Sequence, residues 1–434
     1  RPRSGPARFA GQVSGTVLAL GTVSLVTDIS SEMITAVLPL YMVTVLRMSP
    51  LGFGLLDGVY NGATIVVRLL GGMLADRRAP GTGGAGPAGG RHKAVAAVGY
   101  SLSALCKPLL LLVRSAPGLG LVLAVDRTGK GLRTAPRDAL ISLATPPERR
   151  ARAFGVHRAM DTAGALAGPL VTFLILRAAP GGYHAVFTVS ACVAALGVLV
   201  LLLCVPRNPL GSVAVEPVAA PPPPIRKSPS TPGLRRITLC ASLLGLATLS
   251  DSFVYLLLQR RLHLPAAWFP LLPLGTAGVY LLLAVPLGVI GDRYGPRRAF
   301  VLGHLALLAG YAVLLVRPAG GVPVAATVLV LHGLFYAATD GMLSAATATA
   351  VHSTRHSTGL ALVATGQAGG RFGCSLAVGA MWAWWGSGPA LGVAVGALAV
   401  AIVVAARVMG SAGEGTQSTS KSTSATDSRS GETV

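Results

Sequence analysis

The chain has 434 residues, of which 52% are hydrophobic and only 12% are charged, and its mean hydropathy is +0.65. Because soluble domains carry about 25% charged residues, this composition excludes a soluble globular protein. The formal net charge of +21 does not indicate nucleic-acid binding, since aromatic residues make up only 5% of the chain and the basic residues are scattered between apolar runs. Charge distributed in this way is typical of loops that orient membrane helices.

Apolar runs recur along the chain at lengths that suit a bilayer, where one helical crossing takes about 20 residues. We predict six spans in the first half, at 17–46, 52–75, 94–113, 117–136, 154–176 and 184–205. We predict six more in the second half, at 237–258, 267–291, 299–316, 322–345, 358–382 and 387–408. The predicted domains are a segment 1–16, a bundle 17–205, a proline-rich linker 206–236, a bundle 237–408 and a disordered Ser/Thr-rich tail 409–434.

The distribution of Lys and Arg predicts the orientation. With both ends inside the cell, the inner segments hold 23 of these residues and the outer loops hold 6. Cytoplasmic loops carry the excess of positive charge in membrane proteins. We therefore expect a multi-pass protein of a bacterial-type inner membrane, with both termini and the linker in the cytoplasm.

Short segments repeat between the two halves. Asp28 in span 1 corresponds to Asp251 in span 7, and Asp126 in span 4 corresponds to Asp340 in span 10. With the ends of spans 2 and 8, the offsets are 223, 214 and 216 residues, which indicates one six-helix unit used twice. Such repetition is a transporter architecture with its substrate site between the halves.

The ends of spans 2 and 8 carry the same signature. Its residues are Gly72, Asp76 and Arg77 in the first copy, before a glycine-rich insert at 81–90, and Gly288, Asp292, Arg293 and Arg297 in the second. This pattern is similar to the loop signature of the major facilitator superfamily. The resemblance implies an all-α membrane protein with 12 transmembrane helices in two pseudo-symmetric six-helix bundles, working by alternating access. It also implies a gating role, in which glycine allows close helix contact and the acid pairs with basic groups.

Span 4 contains a charged motif. Arg127, followed by Lys130 and Gly131, resembles the helix-4 motif of the superfamily, whose arginine is associated with proton transfer. Asp126, Lys130, Arg133 and Arg137 are spaced four, three and four residues apart and share one helix face. We expect that face to point into the helix bundle, with Lys130 contacting substrate. The alternative is that Lys130 and Arg133 lie near the inner membrane surface and extend their charged groups into the interface.

Span 5 combines a glycine pattern with an acid. Gly155, Gly164, Gly168 and Pro169 are spaced like the helix-5 signature of the superfamily's antiporters, without its closing glycine pair. Asp161 follows His157 by four residues and Arg158 by three, so it is predicted to pair with Arg158 when deprotonated. Two interpretations are open: a proton-coupled switch, or a permanent structural ion pair.

Other candidate residues are distributed over both halves. Asp28 and Glu32 lie four residues apart in span 1, on one helix face, where two carboxylates repel each other, so one of them is predicted to hold a proton. The alternative is that one of them forms a permanent ion pair with Lys107, Arg68 or Arg371. Asp251 and Asp340 are candidate cavity acids. Arg371, in the middle of span 11, is predicted to contact an anionic substrate group or Asp340. His157 is added to the predicted cavity.

These features predict a secondary transporter, a proton-coupled antiporter that exports a small organic molecule. The alternative is a proton symporter that imports a small anionic metabolite, favoured by seven basic residues within the spans. The sequence contains no HExxH, GxSxG or phosphate-cradling motif and no CxxC pair, so we expect neither an enzyme nor a metal or disulfide site. The expected partners are the substrate and the lipid bilayer, with no nucleic acid. No cofactor is expected beyond the proton gradient, and a monomer is expected to function alone.

Overall fold

A computed structural model describes residues 14–60, 88–146, 149–206, 232–316, 321–350 and 356–427. These residues are almost entirely helical, and the described part of the chain contains no strand. The helices of the first half are α1 (Gly15–Thr44), α2 (50–60 as far as it is described), α3 (Ala88–Leu112), α4 (Ala116–Leu143), α5 (Arg150–Ala178) and α6 (Tyr183–Cys204).

The helices of the second half are α7 (Pro232–Ala247), α8 (Asp251–Arg261), α9 (Leu271–Tyr294), α10 (Pro296–Val316), α11 (Gly321–Thr339), α12 (Met342–Ala350), α13 (His356–Trp385) and α14 (Ser387–Asp427). A short 3-10 helix, Ala266–Trp268, precedes α9. Within the described ranges, nine helical stretches are long and apolar enough to cross a membrane. Large side chains such as Leu112, Leu203 and Leu282 are about three-quarters exposed, as expected of a surface that faces lipid.

The chain divides into two compact units. In the first, α1 packs along α5 and α6, and α3 packs along α4 and α6. In the second, α7 packs along α13 and α14, and α10 packs along α11 and α14. Residues His263–Leu274 are assigned to the first unit, although they lie within the predicted second bundle.

Helix ends follow local sequence signals. Ser14 caps α1 by accepting a hydrogen bond from the Val17 amide, and Ser115 caps α4 in the same way, with Pro117 in the first turn. The buried ammonium of Lys93 donates to the carbonyl oxygens of Leu202, at 3.3 Å, and Val205, so a cation neutralises the C-terminal end of α6.

Two predicted spans are interrupted. The chain leaves the helix at 248–250, between α7 and α8, and again at 340–341, between α11 and α12. At the first break the amide of Leu249 donates to the Tyr311 hydroxyl at 2.9 Å, and at the second Gly341 has a φ of +79°. Asp251 and Asp340, which the repeat makes equivalent to Asp28 and Asp126, thus lie at helix breaks, whereas their first-half equivalents lie within unbroken helices.

The two predicted polar segments are only partly described. Residues 207–231 of the predicted linker lie outside the described residues, and the last part of that linker, from Pro232, already belongs to α7. The prediction of a disordered tail differs from the structure, in which α14 continues to Asp427. The helix is nucleated in the apolar stretch from Ser387, and no proline after it stops propagation into the Ser/Thr-rich residues.

Candidate functional site

Five charged side chains of α4 lie in the first unit, four of them on the face that the sequence predicts and Arg127 beside that face. Their spacing places them on neighbouring turns, as the sequence predicts, and four of them are at least nine-tenths buried. These residues are Asp126, Arg127, Lys130, Arg133 and Arg137. Arg137 lies within α4, which extends beyond the predicted span to Leu143. Because charges in hydrocarbon are costly unless paired, the partners of this face determine its role.

The acids of α1 each meet a different cation of α4. Arg133 lies 3.1 Å from Asp28, and Lys130 lies 3.7 Å from Glu32. Lys107, one of the three alternative partners considered for these acids, instead lies 2.9 Å from Asp126. Arg68 lies outside the described residues. The pairing follows from the register of α1 against α4, which local spacing does not reveal.

Arg127 interacts mainly with an uncharged partner. It donates a hydrogen bond to the hydroxyl of Tyr60, and its guanidinium carbon lies 3.7 Å from the Tyr60 ring centroid. The same hydroxyl lies 2.7 Å from Thr35 Oγ1, and Asp126 lies 3.9 Å from Arg127 Nε. Arg127 is therefore held between α1, α2 and its own helix.

Asp161 lies where α1, α4 and α5 meet. Its carboxylate is 3.6 Å from Arg137 and 3.9 Å from Arg158, so the predicted pair with Arg158 is present together with a second cation. The Asp161 and Asp28 carboxyl groups are also close enough to interact electrostatically, and two like charges repel each other unless one group is protonated. This proximity brings together the predicted acids of spans 1 and 5.

Arg137 links these acids to a buried polar cluster. Besides Asp161, it contacts Asp138 at 3.1 Å and donates to Ser24 Oγ at 3.0 Å. The same Ser24 oxygen lies 3.0 Å from His157 Nε2. His157 is 1% exposed and is enclosed between helices, so the structure gives it a protein partner in place of an open cavity face. Ser24 was missed in the sequence, although it lies one helical turn before Asp28.

The second unit has its own polar cluster at the α7–α8 break. Asp251 Oδ1 accepts a hydrogen bond from the Tyr336 hydroxyl at 2.6 Å and lies 3.1 Å from His332 Nε2. The Arg371 guanidinium carbon lies 6.0 Å from the Tyr336 ring centroid. Asp340 instead accepts from the Tyr280 hydroxyl at 2.8 Å. His332 and Tyr336 were not predicted, but their four-residue spacing places them on one helix face.

The glycines of the predicted antiporter motif differ in their surroundings. A Cβ on Gly164 would meet the backbone of Leu25, and one on Gly168 would lie 2.8 Å from the carbonyl oxygen of Ile29. These two glycines therefore permit the close packing of α5 on α1. The expected packing role is not found for Gly155, whose Cβ would meet no described atom within 4 Å. Pro169 continues within α5, one residue after Gly168.

We expect Gly164→Ala to lower the thermal stability of the purified protein, because the added methyl group must push α1 away from α5. Overpacking of this kind costs about 1–3 kcal/mol. The matched control is Gly155→Ala in the same helix, which should leave the unfolding temperature within about 1 °C of wild type, since surface changes are nearly neutral. Equal unfolding temperatures for the two variants would contradict the close contact.

The predicted gating residues are only partly described. Gly72, Asp76 and Arg77 lie outside the described residues, and the side chain of Asp292 is likewise not described. Gly288 lies in α9, and the close helix contact expected at this glycine is not found among the described residues, since none of their atoms lies within 4 Å of a Cβ placed on it. Arg293 and Arg297 flank the turn between α9 and α10, where Gly295 has a φ of +94°.

Comparisons with known proteins agree with this architecture. The family model described as the Major Facilitator Superfamily matches residues 20–279. The chain is 26% identical over 304 residues to an uncharacterised MFS-type transporter of Methanocaldococcus jannaschii, a match that covers 68% of this chain and 70% of the relative. It is 28% identical over 329 residues to an uncharacterised protein of Mycobacterium tuberculosis, covering 70% and 72% of the two chains.

Solved transporters share the fold. The crystal structure of the nucleoside transporter NupG superposes with a TM-score of 0.70 at 14% identity, covering 91% of this chain and 98% of that one. A POT family transporter in complex with a thioalcohol-conjugated peptide gives a TM-score of 0.73 at 14% identity, covering 94% and 99%.

The helical architecture, the membrane-length helices and the buried charges define a multi-pass membrane protein that shares its fold with solved transporters. The family match then settles its classification. This chain belongs to the Major Facilitator Superfamily and is a secondary transporter with the architecture of two six-helix bundles.

Proposed function

We propose that the protein is a proton-coupled antiporter that exports a small organic molecule, and that Asp28 and Asp161 bind the coupling proton. The observation that carries this proposal is that these two neighbouring acids each form an ion pair with a different arginine of α4. The protein is proposed to work in a bacterial-type inner membrane, with both termini cytoplasmic, as a monomer driven by the proton gradient alone.

The mechanism follows from competition for the α4 arginines. When both acids are ionised, Arg133 and Arg137 hold α1 and α5 against α4 through ion pairs at 3.1 and 3.6 Å. When a proton binds Asp161, its attraction for Arg137 falls, and Arg137 retains Asp138 and Ser24 as partners. Protonation thus loosens one contact between helices without leaving a buried arginine unpaired.

Export is the direction favoured by the glycine spacing of α5. The motif resembles that of the superfamily's antiporters, and Gly164 and Gly168 are the points at which α5 approaches the backbone of α1. The same pair of helices carries Asp161 and Asp28. A proton that alters this contact therefore acts on the helix pair whose packing the motif controls.

The test uses purified protein in liposomes loaded with a pH-sensitive dye. A proton gradient is imposed, and cationic, neutral and anionic compounds are added in turn. We expect proton flux that requires a cationic or neutral compound, with Asp28→Asn and Asp161→Asn each reducing it at least about 10-fold, a lower bound for losing a proton-transfer group. Flux that survives both substitutions would overturn the coupling assignment.

Asp138→Asn is the matched control. Asp138 contacts the same Arg137 but is 38% exposed, and removing its charge leaves the ion pairs of Asp28 and Asp161 in place. Its proton flux should stay within about 3-fold of wild type, because exposed ion pairs contribute at most about 1 kcal/mol. An equal loss in all three variants would assign the effect to the net charge of the cluster.

The second candidate function is proton-driven import of an anionic metabolite. It is favoured by Arg371, whose Nε is buried and has no hydrogen-bond partner among the described residues. An anionic substrate would supply that partner. Uptake of a labelled anion by intact cells that is lost in Arg371→Ala would favour this function over export.

A further inference from the structure

In the cluster at the α7–α8 break, the two carboxylate oxygens of Asp251 differ in their contacts, since only Oδ1 has hydrogen-bond partners in the part of the chain that the structure describes. The Tyr336 hydroxyl donates a hydrogen bond to Asp251 Oδ1, and His332 Nε2 lies 3.1 Å from the same oxygen. Neither group forms a hydrogen bond with Oδ2. The Asp251 side chain is 44% exposed, whereas that of His332 is 2% exposed. The buried His332 and the half-buried Tyr336 therefore orient a carboxylate that is partly exposed and whose second oxygen has no hydrogen-bond partner among the described residues.

Beside this acid are two polar atoms without partners. Arg371 Nε and Ser250 Oγ are both buried and have no hydrogen-bond partner among the described residues. A buried donor that makes no hydrogen bond destabilises the folded state, so such atoms are uncommon in protein interiors. Arginine and hydroxyl donors are the groups that bind a carboxylate.

The relation of Arg371 to Asp251 is set by Tyr336. This residue donates to Asp251 from its hydroxyl while its ring faces the Arg371 guanidinium at 6.0 Å. Close packing fixes the arginine's backbone as well, since a Cβ on Gly370 would meet the backbone of Ser242 and Leu246 in α7. An acid and a base are thus both held beside one tyrosine.

We propose that this cluster binds a zwitterion, with the ligand's ammonium group at Asp251 Oδ2 and its carboxylate at Arg371 and Ser250. This inference rests on the proposed function and specifies its substrate class. A simple cation would satisfy Asp251 but leave the Arg371 and Ser250 donors unpaired and lie close to a guanidinium. A simple anion would leave the accessible carboxylate uncompensated. A molecule with both charges satisfies every unpaired group at once.

The test measures binding to the purified full-length protein in detergent, without any gradient. The probes are glycine, 4-aminobutyrate and 6-aminohexanoate, which vary the separation of the two charges, together with the primary amine and the carboxylate of matched length. We expect at least one aminocarboxylate to bind about 10-fold more tightly than either matched single-charge compound, as measured by calorimetry or thermal stabilisation, a factor of the size that one charge-assisted hydrogen bond supplies.

Two variants, each lacking one charge of the cluster, should each lose the preference for the zwitterion over a different single-charge compound. Asp251→Asn should bind the zwitterion no better than the matched carboxylate, and Arg371→Gln should bind it no better than the matched amine. Tyr336→Phe, which removes only a hydroxyl, should weaken the preference in a folded protein. Arg407→Gln is the matched control, since it makes the same arginine-to-glutamine change at an exposed arginine outside the cluster, and it should keep wild-type selectivity.

The proposal is overturned if no aminocarboxylate binds more tightly than its single-charge analogues, or if both charge-removing variants retain the wild-type preference. Because binding is measured without a gradient, this result is independent of proton coupling at Asp28 and Asp161. Zwitterion binding without proton flux would refute the proposed function alone, and proton flux without zwitterion binding would refute this inference alone.

Discussion

Lys107→Met should destabilise the protein by about 3–5 kcal/mol, the cost typical of removing one partner from a buried ion pair. The Lys107 and Asp126 side chains are 3% and 8% exposed and lie 2.9 Å apart. Without the ammonium group, the Asp126 carboxylate retains only the Arg127 Nε at 3.9 Å. The unfolding temperature of the purified variant in detergent measures the effect.

The double variant Lys107→Met with Asp126→Leu is the informative comparison. Replacing both partners by apolar side chains of similar size is often neutral or stabilising, because neither charge is then buried. We expect the double variant to unfold closer to wild type than Lys107→Met alone. If the two losses simply added, the pair would not be a coupled one, and Asp126 would depend on other partners.

The second large effect is expected for Arg133→Met. Arg133 is 3% exposed, lies 3.1 Å from Asp28 and is 4.6 Å from the Tyr100 ring centroid. Loss of the Arg133 charge leaves the buried Asp28 carboxylate without this cation, and it removes the ion pair that joins α1 to α4 at Asp28. We expect a loss of about 3–5 kcal/mol in stability, read as a lower unfolding temperature.

Arg158→Met supplies the matched control for this substitution. Arg158 is 73% exposed and lies 3.9 Å from Asp161, which keeps Arg137 as its other cation. Exposed pairs of this kind contribute about 0–1 kcal/mol, so this variant should unfold near the wild-type temperature. If it fell as far as Arg133→Met, burial would not be what distinguishes the two arginines.

Much of the architecture follows from local sequence. Runs of apolar residues predict the membrane helices, and the four-, three- and four-residue spacing in α4 predicts its charged face. The Arg158–Asp161 pair also follows, because residues three apart are neighbours on one helix. These predictions require only the helical period and the thickness of a bilayer.

The partners across helices do not follow from the sequence. Arg133 and Asp28 are 105 residues apart, and only the register of α1 against α4 brings them together. The same holds for Tyr336, which joins Asp251 to Arg371, whereas Arg371 was predicted to contact Asp340 or an anion. The breaks at 248–250 and 340–341 were missed because a few polar residues do not lower the mean hydropathy of a whole span below that of a membrane helix, and hydropathy does not report backbone direction.

The break at 340–341 also shows how far the two halves differ in charge. With the offset that equates Asp126 and Asp340, the positions of the four α4 cations are occupied by glycine, serine, threonine and valine, namely Gly341, Ser344, Thr347 and Val351. The half that carries the basic residues has an unbroken helix at Asp126, whereas the other half has a glycine at the break beside Asp340. The two halves are therefore not interchangeable, and a chimaera with two first halves would place a second set of buried charges where the natural chain has uncharged side chains.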